Sequence, residues 1–255
     1  MSQTTIPVII PYFRAPEQLD RCIQALKGGA YPAIEIFIRD NSDDNILFTK
    51  AVNEGLIKYL FDPAIDYALI LNQDAYVLPD MLTRLVDHMD AHPRCGIACP
   101  LQIDGGQVTW GGSFEAFPWG RHRQDPLASY TAPFETPWAH GAAMLVRMSM
   151  LRETGLLDHN MRFVFSDADL SYTARARGWQ VTVVPLARVE HVVSTSALGG
   201  PPELNIVKIQ DALYFAEKWI SADLFRRLEF QGENLKGQVA RFEIDRFRAI
   251  LKNAM

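Results

Sequence analysis

The chain has 255 residues, a formal charge of −5, 48% hydrophobic and 22% charged residues, and three cysteines. That balance gives ample apolar material for a full core and excludes the basic face of a nucleic-acid binder. Cys22, Cys95 and Cys99 form neither a paired disulfide framework nor a zinc pattern, so reduced, buried thiols and a cytoplasmic protein are expected. No basic segment precedes the short run Ile6-Pro7-Val8-Ile9-Ile10, and no apolar run approaches about 18 residues, so neither a signal peptide nor a membrane span is expected.

In chain order, Ile6–Pro11 is a continuous apolar run that predicts a buried strand. Apolar spacing at Leu19, Cys22, Ile23 and Leu26 predicts a helix from Pro16 to Lys27, closed by Gly28-Gly29. The strand Ile34-Glu35-Ile36-Phe37-Ile38 ends on Asp40-Asn41-Ser42. A helix over about 47–60 leads into a strand over 67–72, where Ala68-Leu69-Ile70-Leu71 stops at Asn72-Gln73-Asp74. A helix follows from Met81 to Met89, then a strand over Gly96–Ile103 and a tight turn, Asp104-Gly105-Gly106, into Gln107–Trp110. Residues 111–137 are rich in Gly, Pro and aromatics and lack periodicity, which reads as a long functional loop or lid. Next come a strand over Ala142–Val146, a short helix Met148–Thr154, a helix Asp167–Arg177 and a strand Gln180–Pro185. The chain closes on helices over about Leu204–Trp219, Leu224–Phe230 and Gln238–Lys252. This alternation predicts an α/β fold, a mostly parallel open sheet with helices on both faces and a ligand crevice at the strands' carboxyl ends.

Several residues have two readings. Asp74, at a strand end, is either a crevice-facing carboxylate or a turn acid capping the helix that begins near Pro79. Ser166-Asp167-Ala168-Asp169 matches a capping box. Residues two apart diverge by roughly 200° around a helix, so Asp167 and Asp169 take different roles, one at the cap and one toward the crevice. His191, after an apolar strand, is a hydrogen-bonded structural residue or a ligand. Trp138 and His140 line a pocket or pack beside a strand. Arg121-His122-Arg123 is an anion clamp on the loop or a solvated basic patch. The basic and apolar helix over 241–252 touches a membrane surface, the protein body or a second subunit.

The motifs gain weight from their order. They are Pro7-Val8-Ile9-Ile10-Pro11-Tyr12, Arg39-Asp40-Asn41-Ser42, and Asn45-Ile46-Leu47-Phe48 with Ala51-Val52-Asn53-Glu54-Gly55. Leu69-Ile70-Leu71-Asn72-Gln73-Asp74 follows, then His140-Gly141-Ala142-Ala143-Met144-Leu145 with Gly155-Leu156-Leu157-Asp158, and Phe165-Ser166-Asp167-Ala168-Asp169-Leu170. From about Ile6 to Ser196 the chain resembles the family 2 inverting glycosyltransferases of the GT-A fold, in particular their rhamnosyltransferase-like, non-processive branch. The resemblance implies a Rossmann-like GT-A domain over 1–200 and a helical extension over 201–255. It implies transfer of a hexosyl or deoxyhexosyl group from a nucleotide diphosphate-sugar to a saccharide, lipid-linked or other hydroxyl acceptor. Surface polysaccharide or glycoconjugate synthesis, in the cytoplasm or at the membrane's inner face, would be its setting.

By the same resemblance, Pro11, Tyr12, Asp40, Asn41, Asn45, Asn53 and Asn72 contact the nucleotide. Asp74 and His191 hold Mg²⁺ or Mn²⁺, Asp167 is the catalytic base, and Trp138, His140 and Asp169 line the substrate pocket. A helix N-terminus is expected to lower the pKa of Asp167. The chain also departs from the pattern. Ser166 replaces a Glu, Leu47 a Gly and Thr173 an Arg. The short segment between Ser42 and Asn45 omits a strand and helix common there. The absence of Gln-x-x-Arg-Trp argues against a processive synthase. Ser166 and Leu47 leave open a catalytically silent sugar-nucleotide binding or scaffold protein. A nucleotidyltransferase would want a Gly-rich phosphate loop where Pro11-Tyr12-Phe13-Arg14 stands.

Overall fold

A computed structural model describes residues 4–191, 201–221 and 233–254. The first half comprises β1 (Ile6–Tyr12), α1 (Pro16–Lys27), β2 (Ile34–Asp40), α2 (Leu47–Tyr59), β3 (Tyr67–Leu71), β4 (Ala75–Val77), α3 (Met81–Ala91) and β5 (Cys95–Asp104). Then follow β6 (Gln107–Trp110), β7 (Ser113–Ala116), β8 (Trp119–His122), β9 (Phe134–Glu135), β10 (Ala143–Arg147), α4 (Met148–Thr154), α5 (Ser166–Ala176) and β11 (Gln180–His191). Two long helices, α6 (Pro202–Ser221) and α7 (Glu233–Ala254), complete the described chain. The helix expected over Leu224–Phe230 lies outside the described residues.

Among the described residues, a nine-stranded sheet runs β2-β1-β3-β10-β5-β11-β4, with β6 paired to β5 and β9 to β11. The strands β1, β2, β3, β5 and β11 point one way, because β10 lies antiparallel to both β3 and β5 while the remaining central pairs are parallel. This is the expected α/β sheet, and successive side chains alternate between its faces. Ile9 and Ile70 enter one core with Val52 and Leu56 of α2 and Leu151 of α4. Val8, Ile10, Leu69 and Leu71 enter the other with Cys22 and Leu26 of α1 and Met81 and Leu85 of α3.

A third cluster joins Tyr172 of α5 to Phe215 and Trp219 of α6 and to Ala240 and Ile244 of α7. Ala240, Ile244 and Phe247 of α7 thus pack on the body, Phe247 meeting Trp119 with ring centroids 5.1 Å apart, while Phe242 and Ile250 stay exposed. No helix among the described residues is long and apolar enough to cross a membrane. The segment 111–137, read from its lack of periodicity as a long loop or lid, contains short strands. It carries the β7–β8 hairpin, and paired bonds between Gly111 and Arg123 and between Arg123 and Gly112, both 2.8 Å, extend that ladder. Phe117 within it, and Trp138 just after it, belong to the third cluster and hold it down.

Gly55 shows how closely α2 approaches the sheet. A Cβ there would lie 2.6 Å from Ile9 Cγ2 and 2.9 Å from Phe37 Cδ1. Gly55→Ala gains helix propensity of roughly 1 kcal/mol. The overpacking cost of about 1–3 kcal/mol should outweigh it. Denaturant unfolding is therefore expected to show net destabilisation, and a stabilised variant would mean that this contact is looser than described.

Candidate active site

The strand expected to stop at Pro185 continues to His191 because it bends rather than ends. Its register against β5 shifts between Val184 and Arg188, where Pro185 has no N–H to donate and a bulge is tolerated. Beyond the bulge, Val189, Glu190 and His191 pair with Val77, Tyr76 and Ala75 of β4. His191 therefore stands beside Asp74, with Nε2 3.4 Å from Asp74 Oδ1. Both residues are 8% exposed.

Gln102 of β5 sets the ring, its Oε1 lying 3.0 Å from His191 Nδ1. An amide oxygen accepts only, so Nδ1 carries a proton in this arrangement, and the singly protonated ring turns its Nε2 lone pair toward the carboxylate. Among the described residues, no donor satisfies the buried Asp74 Oδ1. Two electron-rich atoms facing each other suit a cation between them. No group of three or more His, Cys, Asp or Glu able to hold a metal occurs among the described residues. The pair offers one carboxylate oxygen and one imidazole nitrogen, so a divalent ion held there would take its remaining ligands from water and phosphate.

A cavity of about 500 Å³ opens beside His191, which lines it among others with Asn72, His140, Gly141, Asp167 and Lys208, whereas Asp74 stands behind the lining. Asp167 reaches it from the first turn of α5. Its Oδ2 accepts from Gly141 N–H at 2.7 Å and its Oδ1 from Ala168 N–H at 2.8 Å. The surrounding protein pushes its carboxyl above the usual range, and the backbone bonds only partly offset this. The lowered pKa expected from the helix terminus is thus corrected: burial wins. Ser171 Oγ donates to Asp167 O at 2.7 Å and accepts from Ala139 N–H at 3.0 Å, tying α5 to the loop before β10.

The capping box does not form. The residue before α5 is Phe165, at φ 68° and without a side-chain cap bond. Ser166 is buried and bonded to Thr49 Oγ1 at 2.8 Å. Asp169 lies outside the cavity lining, accepting from Trp219 Nε1 at 2.7 Å with Lys218 Nζ at 2.9 Å. The expected pocket role of Asp169 is therefore replaced by an anchor for α6. Asp74 does not cap α3, whose N-cap is Asp80, itself without a capping bond.

The residues expected to contact the nucleotide divide. Asn72 lines the cavity, whereas Pro11, Tyr12, Asp40, Asn41, Asn45 and Asn53 do not. Tyr12 and Asp40 are register partners at the ends of β1 and β2, and Asn41 N–H donates to Tyr12 O at 2.8 Å. Asp40 Oδ1 accepts from Ser42 N–H at 2.8 Å. Asn41 is buried with its side-chain Oδ1 lacking a donor among the described residues. Asn45 and Leu47 both have positive φ, 34° and 65°, so the Gly that Leu47 replaces would relieve a left-handed backbone. Asn53 corrects its expected role: its Nδ2 donates to Leu157 O at 2.7 Å and its Oδ1 accepts from Leu157 N–H at 3.2 Å, making it a clamp on the fold.

Trp138 and His140 line a second, aromatic cavity of about 250 Å³ with Trp119, Phe165, Tyr172 and Phe215, and Asp167 borders both cavities. His140 is held neutral by burial and by the neighbouring His122 and His191 imidazoles. Sequence reasoning missed Gln102, Gln73 and Lys208. Gln102 carries a signal, a polar residue within the apolar run Leu101-Gln102-Ile103. Gln73 holds the end of β1 through Phe13, accepting from its N–H at 2.6 Å and donating to its O at 3.2 Å. Lys208 depends on the fold-back of α6, which no local pattern shows.

The family profile described as glycosyl transferase family group 2 matches residues 67–237, which include Asp74, Asp167, His191 and Lys208. The chain belongs to this family. Among curated proteins, none matches this glycosyltransferase in sequence. Among solved structures it is similar to GalNAc-T7, crystallised with UDP, GalNAc and Mn²⁺, at a TM-score of 0.66 and 12% identity over 96% of this chain and 56% of that one. It is also similar to S. aureus TarS 1-349, at a TM-score of 0.58 and 14% identity over 95% of this chain and 70% of that one. These likenesses place the glycosyltransferase in the GT-A fold. The chain spans little more than half of the GalNAc-T7 chain it matches.

The raised pKa of Asp167 has a consequence for stability. The folded protein holds that proton more tightly than the unfolded chain, so stability is lost as pH rises through the folded value. Asp167→Asn removes this dependence. The melting temperature of the variant, relative to wild type, should be more favourable near pH 7 than near pH 4.5. The reverse trend in matched thermal melts would show that hydrogen bonding, not burial, dominates the site.

Proposed function

We propose that the protein is an inverting glycosyltransferase that moves a hexosyl or deoxyhexosyl group from a nucleoside diphosphate-sugar to a hydroxyl acceptor. The observation that carries this reading is Asp167, a carboxylate fixed by two backbone N–H groups, facing the same cavity as Asn72 and His191. Asp40, Asn41 and Tyr12 form the nucleotide side. Asp74 and His191 would hold Mg²⁺ or Mn²⁺, which when bound neutralises charge developing on the diphosphate. The aromatic cavity takes the acceptor, whose apolar ring face suits Trp119 and Trp138. A saccharide hydroxyl in polysaccharide or glycoconjugate synthesis fits that lining.

The acceptor O–H proton passes to the Asp167 carboxylate as the oxygen's electron pair attacks the anomeric carbon. The bond to the diphosphate oxygen breaks on the opposite face, and its electron pair leaves with the diphosphate. A base with a raised pKa grips the proton more strongly, provided it is ionised at the working pH, and such a group contributes about 10²–10⁴-fold. The two carboxylates of α5 thereby separate in function, Asp167 for chemistry and Asp169 for anchoring.

Three variants test this. Asp167→Asn should cut transfer by about 10²-fold or more while nucleotide affinity holds. Asp169→Asn should instead cost about 1.5–3 kcal/mol of stability by weakening its bonds to Lys218 and Trp219. Normal transfer by Asp167→Asn would eliminate the base, and turnover-free binding by wild type would favour a silent sugar-nucleotide binder. For the ion, Asp74→Ala should abolish the gain in nucleoside diphosphate affinity that Mn²⁺ gives in calorimetry, and an unchanged gain would remove Asp74 from the site.

A further inference from the structure

A diphosphate leaving group carries more charge than one divalent ion neutralises, so the cavity's own charges matter. Among the described residues that line the 500 Å³ cavity, Asp167 is the sole carboxylate and Lys208 the sole Lys or Arg. Lys208 comes from α6, outside the strand ends that furnish Asn72, Asp74 and His191. Its Nζ lies 5.9 Å from the centroid of the Phe163 ring, and Phe163 lines the cavity too. The helix face that presents Lys208 is fixed in place. Asp211, one turn further on, is fully buried and accepts from the N–H groups of Phe163 and Val164 at 2.7 and 3.0 Å. Residues three apart share a helix face, so the bond that seats Asp211 also seats Lys208 toward the cavity.

We propose that Lys208 is the protein's own counter-charge for the leaving diphosphate, its ammonium donating to a phosphate oxygen that gains charge as the glycosidic bond breaks. This rests on the proposed function and adds a phosphate-binding role to the C-terminal helices. An ammonium there interacts little with the sugar or base and strongly with the second phosphate, so it discriminates nucleoside diphosphates from monophosphates.

The test is calorimetry with Mn²⁺ and the di- and monophosphates of uridine, thymidine, guanosine and adenosine, on wild type, Lys208→Gln and Lys208→Arg. Lys208→Gln should lose at least about ten-fold in affinity for the diphosphate that wild type prefers, the size expected of a charge-assisted bond. Its monophosphate affinity should stay within about two-fold, which also reports an intact fold. Lys208→Arg should recover most of the loss. Equal losses for both nucleotides, or none, overturn the role of Lys208 and leave the glycosyltransferase reading standing. Failure of wild type to bind any of these diphosphates overturns both.

Discussion

The reversed direction of β10 is the constraint on which the site depends. Parallel strands deliver their carboxyl ends to one edge of a sheet, and an antiparallel neighbour begins where they end. Ala143 pairs with Leu71, and Asn72 N–H donates to Ala142 O at 2.8 Å, so the His140-Gly141-Ala142 segment enters beside the exit of β3. Gly141 can then offer its N–H to Asp167, while the carboxyl ends of β3 and β11 bring Asn72 and His191 to the same cavity. A parallel strand in that place would send the same loop to the far edge. The bulge in β11 completes the geometry by carrying His191 past Pro185 to the register of Ala75.

Charge is arranged in opposition across this cavity. On the sheet side, an acceptor-only Asp74 oxygen faces a histidine whose other nitrogen is occupied by Gln102. On the helix side, Asp167 is crowded by protein, and its proton affinity rises despite two backbone donors. Between them, His140 is kept neutral by burial and by its imidazole neighbours. One carboxylate thus stands beside a ring and the other is held by backbone N–H groups, so the two acids have different surroundings without a change of residue type.

Much of the framework was legible in the chain because it is locally encoded. The apolar runs that stop at Tyr12, Asp40 and Asn72 are strand ends, and the helices over 16–27 and 81–91 follow their apolar spacing. What was not legible depends on distant partners. Ser-x-x-Asp reads as a capping box, yet Thr49, 117 residues away, takes the Ser166 hydroxyl, and Trp219, 50 residues away, takes Asp169. Pro185 reads as a strand end, and only the pairing with β5 and β4 carries β11 beyond it. The short hairpin strands at 113–116 and 119–122 are too brief for periodicity and are held by aromatics that α7 and the third core cluster collect. Lys208 is one lysine in an ordinary helix until α6 folds back.

The central claim is that donor and base meet in one cavity, with the diphosphate and Asp167 on opposite sides of the reacting carbon. Diffraction from crystals of Asp167→Asn holding Mn²⁺ and an intact nucleoside diphosphate-sugar tests it most directly. The account predicts anomalous manganese density at Asp74 and His191, and the anomeric carbon between the diphosphate oxygen and residue 167. A donor bound elsewhere, or residue 167 on the same face as the diphosphate, would contradict it.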